Sequence, residues 1–417
     1  MPETSTLSKS SLWTIPPAWW VGFALVVGVM GAALISPLYA LYREAWQLRA
    51  SDISAIYVLY MAGGLCSLLF LGRLPDRVGF KRVLLVFLAL TLLGTLVSML
   101  AWDKSSLIVG RFMVGVSSSL ITISGTLGLT ALLSRDGQSS PQRVAMLASF
   151  LNVFGFGLGP LIGGVLGQWG PQPLLTAYIP TLILGLVGMA AIYKLELPGH
   201  AHHAAHGQGV LRWQDCMPRL TWPARAESVA FMMTCGFPFL AFGVFGLYAS
   251  MAPLFLKQMV SWHGPFVSGT AIAVILLASA AIQMLVSRMR VHRCGRLGML
   301  ALVVSNALLI VNLHASSTLI FVAGVALTAI GHGMSMLAGM SMVSRIAGPD
   351  NRAGLLSTYQ LIGLIGSMLP MMAVGWIADH WGIDWAVTLF ALMVMVLGTV
   401  LGWAFARHPR MRAVAQE

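Results

Sequence analysis

The stretch GRLPDRVGFKR (residues 72–82) places five charged side chains between two long apolar runs that carry none. The runs 53–71 and 83–101 are each close to the ~20 residues with which an α-helix crosses a bilayer. The two glycines and the proline of the stretch favour a tight turn between them. The stretch therefore predicts a short basic loop between two membrane-spanning helices, and it sets the class of the whole fold.

Composition supports a polytopic membrane protein. The chain is 58% hydrophobic and only 9% charged, so a soluble globule of this size would have more apolar surface than it could bury. The formal net charge is +12, but the basic residues lie in loops between apolar runs and do not gather on one face. We therefore interpret the charge as a determinant of orientation and expect no nucleic-acid partner.

Twelve apolar runs of spanning length fit between residues 19 and 406. Lysine and arginine are concentrated in the tails and in the even-numbered loops, which predicts that both termini are cytoplasmic. The predicted parts are an N-terminal tail (1–18), a six-helix bundle (19–193), a linker (194–228), a second six-helix bundle (229–406) and a C-terminal tail (407–417).

The linker contains four histidines in the segment HAHHAAH (residues 200–206). Such a segment could chelate a divalent metal, but neither cysteine nor carboxylate completes a ligand set beside it. The simpler interpretation is a solvated linker, followed by a short amphipathic helix on the membrane surface. We predict no metal site and no cofactor.

The two halves of the sequence repeat each other. Ala252-Pro253-Leu254-Phe255 parallels Ser36-Pro37-Leu38-Tyr39, and the same offset relates Arg293 to Arg77 and Gly331 to Gly115. A parallel repeat of this kind, with a substrate site between the halves, is typical of rocker-type secondary transporters.

The charged loop resembles the loop between the second and third helices of the major facilitator superfamily. The matching positions are Gly72, Leu74, Asp76, Arg77, Gly79 and Lys81, whereas Pro75 and Phe80 depart from the family pattern. A topology signal alone is one interpretation, but a lone acid among four cations contributes nothing to orientation. We expect the Asp76 carboxylate to hold the cytoplasmic ends of the two halves together in the outward-open state.

The fourth and fifth helices carry two further segments of this resemblance. LIVGRFMVGVSSS (residues 107–119) is similar to the R-x-x-x-G motif of the family through Arg111 and Gly115, with Val114 in place of the usual amide. GFGLGPLIGG (residues 155–164) resembles a motif of proton-linked antiporters. Its matching residues are Gly155, Gly159, Pro160, Gly163 and Gly164. Small residues four apart allow a neighbouring helix backbone to approach closely.

The resemblance implies an all-α membrane protein with twelve transmembrane helices in two pseudo-symmetric six-helix bundles. It also implies a secondary transporter rather than an enzyme, similar to the drug:proton antiporters, with a small-molecule substrate and protons as partners. The expected location is the bacterial inner membrane, and the expected form in the bilayer is a monomer.

Proton coupling lacks an obvious carboxylate, because the first helix contains none and the acids lie in loops or at helix ends. Arg111 is the one cation inside a span, and either it snorkels outward or it needs a partner. We predict a pair between Arg111 and Asp52. The alternative proton carrier is His332, although a lone membrane histidine can also be a packing residue.

Few fixed charges fall where the family pattern places the substrate cavity, which favours hydrophobic or weakly cationic substrates. A sugar, amino-acid or metabolite exporter and a non-transporting sensor of the same fold remain alternatives. The predicted cavity residues are Tyr39, Asn152, Phe242, Phe245, Tyr248, Gln283, Met336 and Gln360.

Overall fold

The computed structural model describes residues 16–133, 141–197, 217–218, 220–347 and 351–407. Within them, twelve helical segments are long and apolar enough to cross a bilayer, which confirms the predicted count. The linker histidines at 200–206 lie outside the described residues. The segments, numbered spans 1 to 12, are Pro17–Trp46, Ala50–Leu71, Phe80–Met99, Lys104–Leu133, Arg143–Trp169, Pro173–Lys194, Arg225–Met259, Pro265–Leu285, Val291–Ala315, Thr318–Ile346, Gly354–Trp381 and Ile383–Phe405.

The sequence repeat reappears in the packing. In the first half (spans 1–6), span 4 packs against spans 1, 2 and 3, and in the second half (spans 7–12), span 10 packs in the same way against spans 7, 8 and 9. The two most extensive contacts between the halves are equivalent: span 2 packs against span 11, and span 5 packs against span 8. The two-bundle prediction is confirmed.

Span 1 is broken, whereas its counterpart span 7 is continuous. An α-helix ends at Ala33, a 3-10 turn follows at Ser36–Leu38, and a second helix covers Tyr39–Trp46. Pro37 has no amide N–H to donate to the carbonyl of Ala33, which favours a break at this point. The equivalent Pro253 lies inside the unbroken helix Arg225–Met259. The two halves therefore differ at this break, where the end of a helix leaves carbonyl groups of span 1 without helical partners.

The halves are joined at one face of the molecule. We call the face where span 1 begins and span 12 ends the terminal face, and the other the opposite face. First-half residues that share a core with the second half lie toward the opposite face, for example residues 34–42 and 53–58. Toward the terminal face, the described first-half core around Val21, Phe80 and Leu129 contains first-half residues only. The structure is therefore closed at the opposite face.

Candidate functional site

The charged loop forms one short helical turn at the terminal face. A five-residue helix, Leu74–Val78, carries Asp76 in its first turn, and Gly79 follows with φ 97°, a value that favours glycine. Lys81 Nζ donates to the Leu195 carbonyl at 2.7 Å and so ties the start of span 3 to the end of span 6. Asp76 is exposed and, in the described part of the chain, makes no hydrogen bond or ion pair. The contact between the halves that we predict for Asp76 stays a prediction, because it concerns the conformation that is closed at the terminal face.

The glycines of span 5 lie directly on the backbone of span 1. A Cβ on Gly159 would collide with the carbonyl oxygen of Met30, and one on Gly163 would collide with that of Leu34. Gly155 meets the carbonyl oxygen of Val26 in the same way. The three glycines are spaced four residues apart, and so are the three carbonyl groups they meet, so each turn of span 5 packs on one turn of span 1. The close helix approach expected from the motif is present, and its partner is span 1.

A second side of span 5 contacts span 8 of the other half. A Cβ on Gly164 would lie 2.8 Å from the carbonyl oxygen of Pro265, and one on Gly269 would collide with the carbonyl oxygen of Pro160. Span 5 thus makes close backbone contacts with span 1 and with span 8 of the other half. The motif therefore stands at the contact between the halves.

Arg111 is buried, with 2% of its surface exposed, and it does not snorkel. Its guanidinium donates to the carbonyl of Gly31 at 3.1 Å and also to the carbonyl of Ala32. These carbonyls lie in the last turn of the helix that ends at Ala33, where the helix dipole is negative. The break in span 1 thus supplies the counter-charge for the arginine.

Tyr60 of span 2 packs against Arg111, and Gly115 allows span 2 to come close enough to span 4 for this contact. The guanidinium carbon lies 4.5 Å from the centroid of the Tyr60 ring, a cation–π contact. One turn further along span 4, a Cβ on Gly115 would collide with the Tyr60 carbonyl oxygen, so the glycine lets span 2 approach. The second half lacks this arrangement, because Leu327 occupies the position equivalent to Arg111 and span 7 is unbroken.

The predicted pair between Asp52 and Arg111 is wrong for this conformation. Asp52 Oδ1 accepts from Lys104 Nζ at 2.7 Å, and its Oδ2 accepts from the backbone amide of Arg49 at 3.0 Å. Lys104 begins span 4 at the opposite face, beside the start of span 2, whereas Arg111 lies two turns deeper. The nearest cation to Asp52 was therefore one outside the apolar run.

Among the described residues, three polar contacts join the halves on the side of the opposite face, and sequence reasoning missed them. One is the buried hydrogen bond between the Tyr57 hydroxyl and Ser367 Oγ, at 2.7 Å. Asp379 Oδ1 accepts from the amide of Ala50 at 2.8 Å and, less closely, from that of Ser51, so span 11 caps the start of span 2. Lys257 Nζ donates to Glu44 Oε1 at 2.7 Å across the same face. The partners are far apart in sequence, so neither spacing nor periodicity signals them.

Four second-half side chains form a compact cluster between spans 7, 8 and 10. His332 Nδ1 lies 2.8 Å from Ser279 Oγ, and the rings of Phe242 and Phe245 are each 6.1 Å from the imidazole, centroid to centroid. Gln283 reaches Ser279 Oγ at the long distance of 3.5 Å. The structure therefore brings together His332 and three of the predicted cavity residues, while Ser279 was not predicted. We call Phe242, Phe245, Ser279 and His332 the histidine cluster.

The other predicted cavity residues are dispersed. Tyr39 and Tyr248 belong to the core that closes the opposite face. Asn152 accepts from Thr122 Oγ1 at 2.8 Å inside the first half. Met336 and Gln360 are half-buried, and the Gln360 Oε1 atom has no hydrogen-bond partner among the described residues. These residues do not form one site in this conformation.

Comparison with known proteins identifies the family. The chain matches the family described as Major Facilitator Superfamily over residues 21–303 and 260–417. The protein belongs to this superfamily. Within the described residues, no group of three or more metal-ligating side chains is close enough together to hold a metal ion.

Individual superfamily relatives are distant. Multidrug efflux protein YfmO of Bacillus subtilis (strain 168) is 22% identical over 94% of both chains. Methyl viologen resistance protein SmvA of Salmonella typhimurium is 31% identical over 31% of this chain and 26% of its own. The chain matches about a third of the length of two further curated relatives, 31% of one and 32% of the other. A crystal structure of the peptide transporter POT with alafosfalin has a TM-score of 0.78 at 14% identity, covering 95% and 94% of the two chains, and shows the shared fold.

Proposed function

We propose that this superfamily transporter exports small hydrophobic or weakly cationic compounds in exchange for protons, by alternating access between its halves. The histidine cluster carries the proposal, because it combines two aromatic rings with one titratable side chain that has a neutral partner. Aromatic faces attract cations and apolar groups, whereas phosphorylated solutes need several buried cations. YfmO and SmvA are named for multidrug efflux and methyl viologen resistance, which supports the same substrate class.

The cluster offers a physical basis for exchange. The ring centroids of Phe242 and His332 are 6.1 Å apart, so a cation bound on the Phe242 ring would lie on the order of 6 Å from a protonated imidazole. At an effective dielectric constant of about 20, two unit charges at that distance repel by about 3 kcal/mol, a factor of roughly 100 in affinity. The cationic substrate and the proton on His332 therefore disfavour each other. Ser279 Oγ can donate to the neutral ring or accept from the protonated one, so it supports both states.

His332 is preferred as the proton carrier because the other candidates are engaged. Asp52 is held by Lys104, and Arg111 is held by two backbone carbonyls. Arg111 then has a structural role at the break of span 1. Asp52 belongs to the contacts of the opposite face.

The loop and span 5 fit the conformational part of the proposal. With cytoplasmic termini, as the charge distribution predicts, the closed opposite face would be outside and the separated halves would open inward. In this inward-open state Asp76 is exposed, and it would engage the second half when the terminal face closes. Span 5 would transmit the movement, since it contacts both span 1 and span 8.

Transport by purified protein in liposomes tests the proposal. An imposed pH gradient should drive accumulation of a monovalent lipophilic cation by the wild type. His332→Gln should abolish the pH-driven component but retain downhill exchange, because the ring pocket is preserved. The matched control is His314→Gln, which changes an exposed histidine at the end of span 9.

Each contrary result points to a different alternative. Equal pH-driven accumulation by His332→Gln and wild type would refute the histidine as proton carrier. Transport of sugars, amino acids or nucleosides, without any lipophilic cation, would favour the metabolite exporter. Absence of any transport would favour the non-transporting sensor.

A further inference from the structure

A groove of about 690 Å³ lies between spans 9 and 12 near the terminal face, away from the histidine cluster. Its inner part is apolar, with Leu297, Leu300 and Val303 on the span 9 side. Its outer end is lined by Arg293, Arg296 and Arg407. The groove thus has an apolar floor that ends in a basic rim.

Two glycines on one side of span 12 line the groove. Gly398 and Gly402 are four residues apart and both face span 9. The nearest atom to a Cβ on Gly402 would be Met299 Cβ at 3.5 Å, so small side chains fit there and large ones would fill the groove. From Arg293 to Val303 the groove follows span 9 for about 15 Å, at 1.5 Å per residue. That length suits a large part of an extended acyl chain.

The basic rim has no acidic partner in the described part of the chain. None of the three arginines forms an ion pair there, and all three are exposed. Arg407 stacks over the Trp403 ring at 4.9 Å, which places its guanidinium at the mouth of the groove. Leu297 and Leu300 are also exposed, at 46% and 56%, so the groove opens on the outer surface of the helix bundle.

We propose that the groove binds one anionic phospholipid from the leaflet at the terminal face. The arginine rim would hold the phosphate, and one acyl chain would lie along the glycine side of span 12. Basic pockets between membrane helices recognise anionic headgroups in this way. A zwitterionic lipid offers the same phosphate but adds a cation that the three arginines repel. The selectivity therefore follows from net charge.

The first half does not repeat this arrangement. The position equivalent to Arg296 is Phe80, which is fully buried in the first-half core. The neighbouring Lys81 is already bound to the Leu195 carbonyl. The lipid would therefore contact the second half only and would act on the chain asymmetrically.

Native mass spectrometry of the detergent-purified protein measures the binding. Dioleoyl phosphatidylglycerol should bind the wild type more tightly than dioleoyl phosphatidylcholine. Arg293→Gln/Arg296→Gln should weaken phosphatidylglycerol binding about 25-fold, since each basic side chain near an anionic headgroup contributes roughly a factor of five. The matched control, Arg288→Gln/Arg290→Gln, removes the same charge from the loop directly before span 9, outside the groove, and should change binding less than twofold.

A steric variant separates the groove from general surface charge. Gly402→Leu keeps the arginines but fills the groove, and it should weaken phosphatidylglycerol binding at least tenfold, whereas Gly402→Ala should not. Equal binding of the two lipids, an equal loss in the loop control, or full binding by Gly402→Leu would each overturn the proposal. So would soluble glycerophosphoglycerol binding as tightly as the lipid, since the acyl chain would then contribute nothing.

Discussion

Replacing Arg111 by methionine should lower the free energy of unfolding by about 3 kcal/mol. The substitution leaves the carbonyls of Gly31 and Ala32 buried without donors at the break of span 1. Two hydrogen bonds from a charged donor contribute roughly 1.5–3 kcal/mol each, and the cation–π contact with Tyr60 adds up to about 2. Relief of the desolvation of a buried charge offsets part of this sum, which leaves the smaller net figure.

Unfolding in mixed micelles with increasing sodium dodecyl sulfate measures this change. Arg111→Lys should recover only about half of the loss, because a single ammonium cannot follow two carbonyls as a planar guanidinium does. Lys104→Met is the control on the same helix. It removes a half-exposed cation paired with Asp52 and should cost less than about 1 kcal/mol.

A double-mutant cycle distinguishes the two possible partners of Arg111. Asp52→Asn and Arg111→Met should be additive within about 0.5 kcal/mol, because the side chains share no contact. A larger coupling energy would restore the Asp52–Arg111 pair. An Arg111→Met protein as stable as wild type, or an Arg111→Lys protein indistinguishable from it, would refute the capping of the broken helix.

Three further predictions concern movement between the halves. Gly159→Ala should abolish export, because its methyl group meets the Met30 carbonyl, whereas Gly157→Ala meets only the flexible Leu277 side chain and should remain active in the same vesicle assay. Asp76→Asn should slow transport at unchanged membrane insertion, and transport at the wild-type rate would reduce the loop to a topology signal. Asp379→Asn should loosen the opposite face by roughly 1 kcal/mol, seen as longer distances between spin labels on spans 2 and 11; exposed Asp384→Asn is the control, and unchanged distances would contradict the cap.

The sequence predicted well what depends on local composition. The number of spans follows from the length of the apolar runs, and the repeat follows from the order of residues in the two halves. The close helix approach at Gly159 follows from the small size of glycine. The partner of Arg111 was missed because it is not a side chain at all: a proline-associated break made two backbone carbonyls available. Asp379 was missed because capping of one helix by another half depends on tertiary placement. Asp52 was assigned wrongly because only cations inside spans were considered, and Lys104 lies at a span end.

In the histidine cluster, sequence reasoning found the special residue types but not their grouping. Phe242, Phe245 and His332 stand out as aromatic or titratable groups in apolar spans. Ser279 does not, since serine is common in membrane helices and only its 2.8 Å contact with the imidazole marks it.

The contact between spans 5 and 1 has a mechanical consequence. Most packed helices interdigitate, so that sliding one along the other forces side chains over ridges. At Gly155, Gly159 and Gly163 the span 5 surface has no side chains to lift, and it rests on the main chain of span 1. This contact is intolerant of any added atom, yet it has no interdigitated side chains at these positions that would resist a slide of span 5 along span 1. Tight packing and easy movement are thus properties of the same three residues.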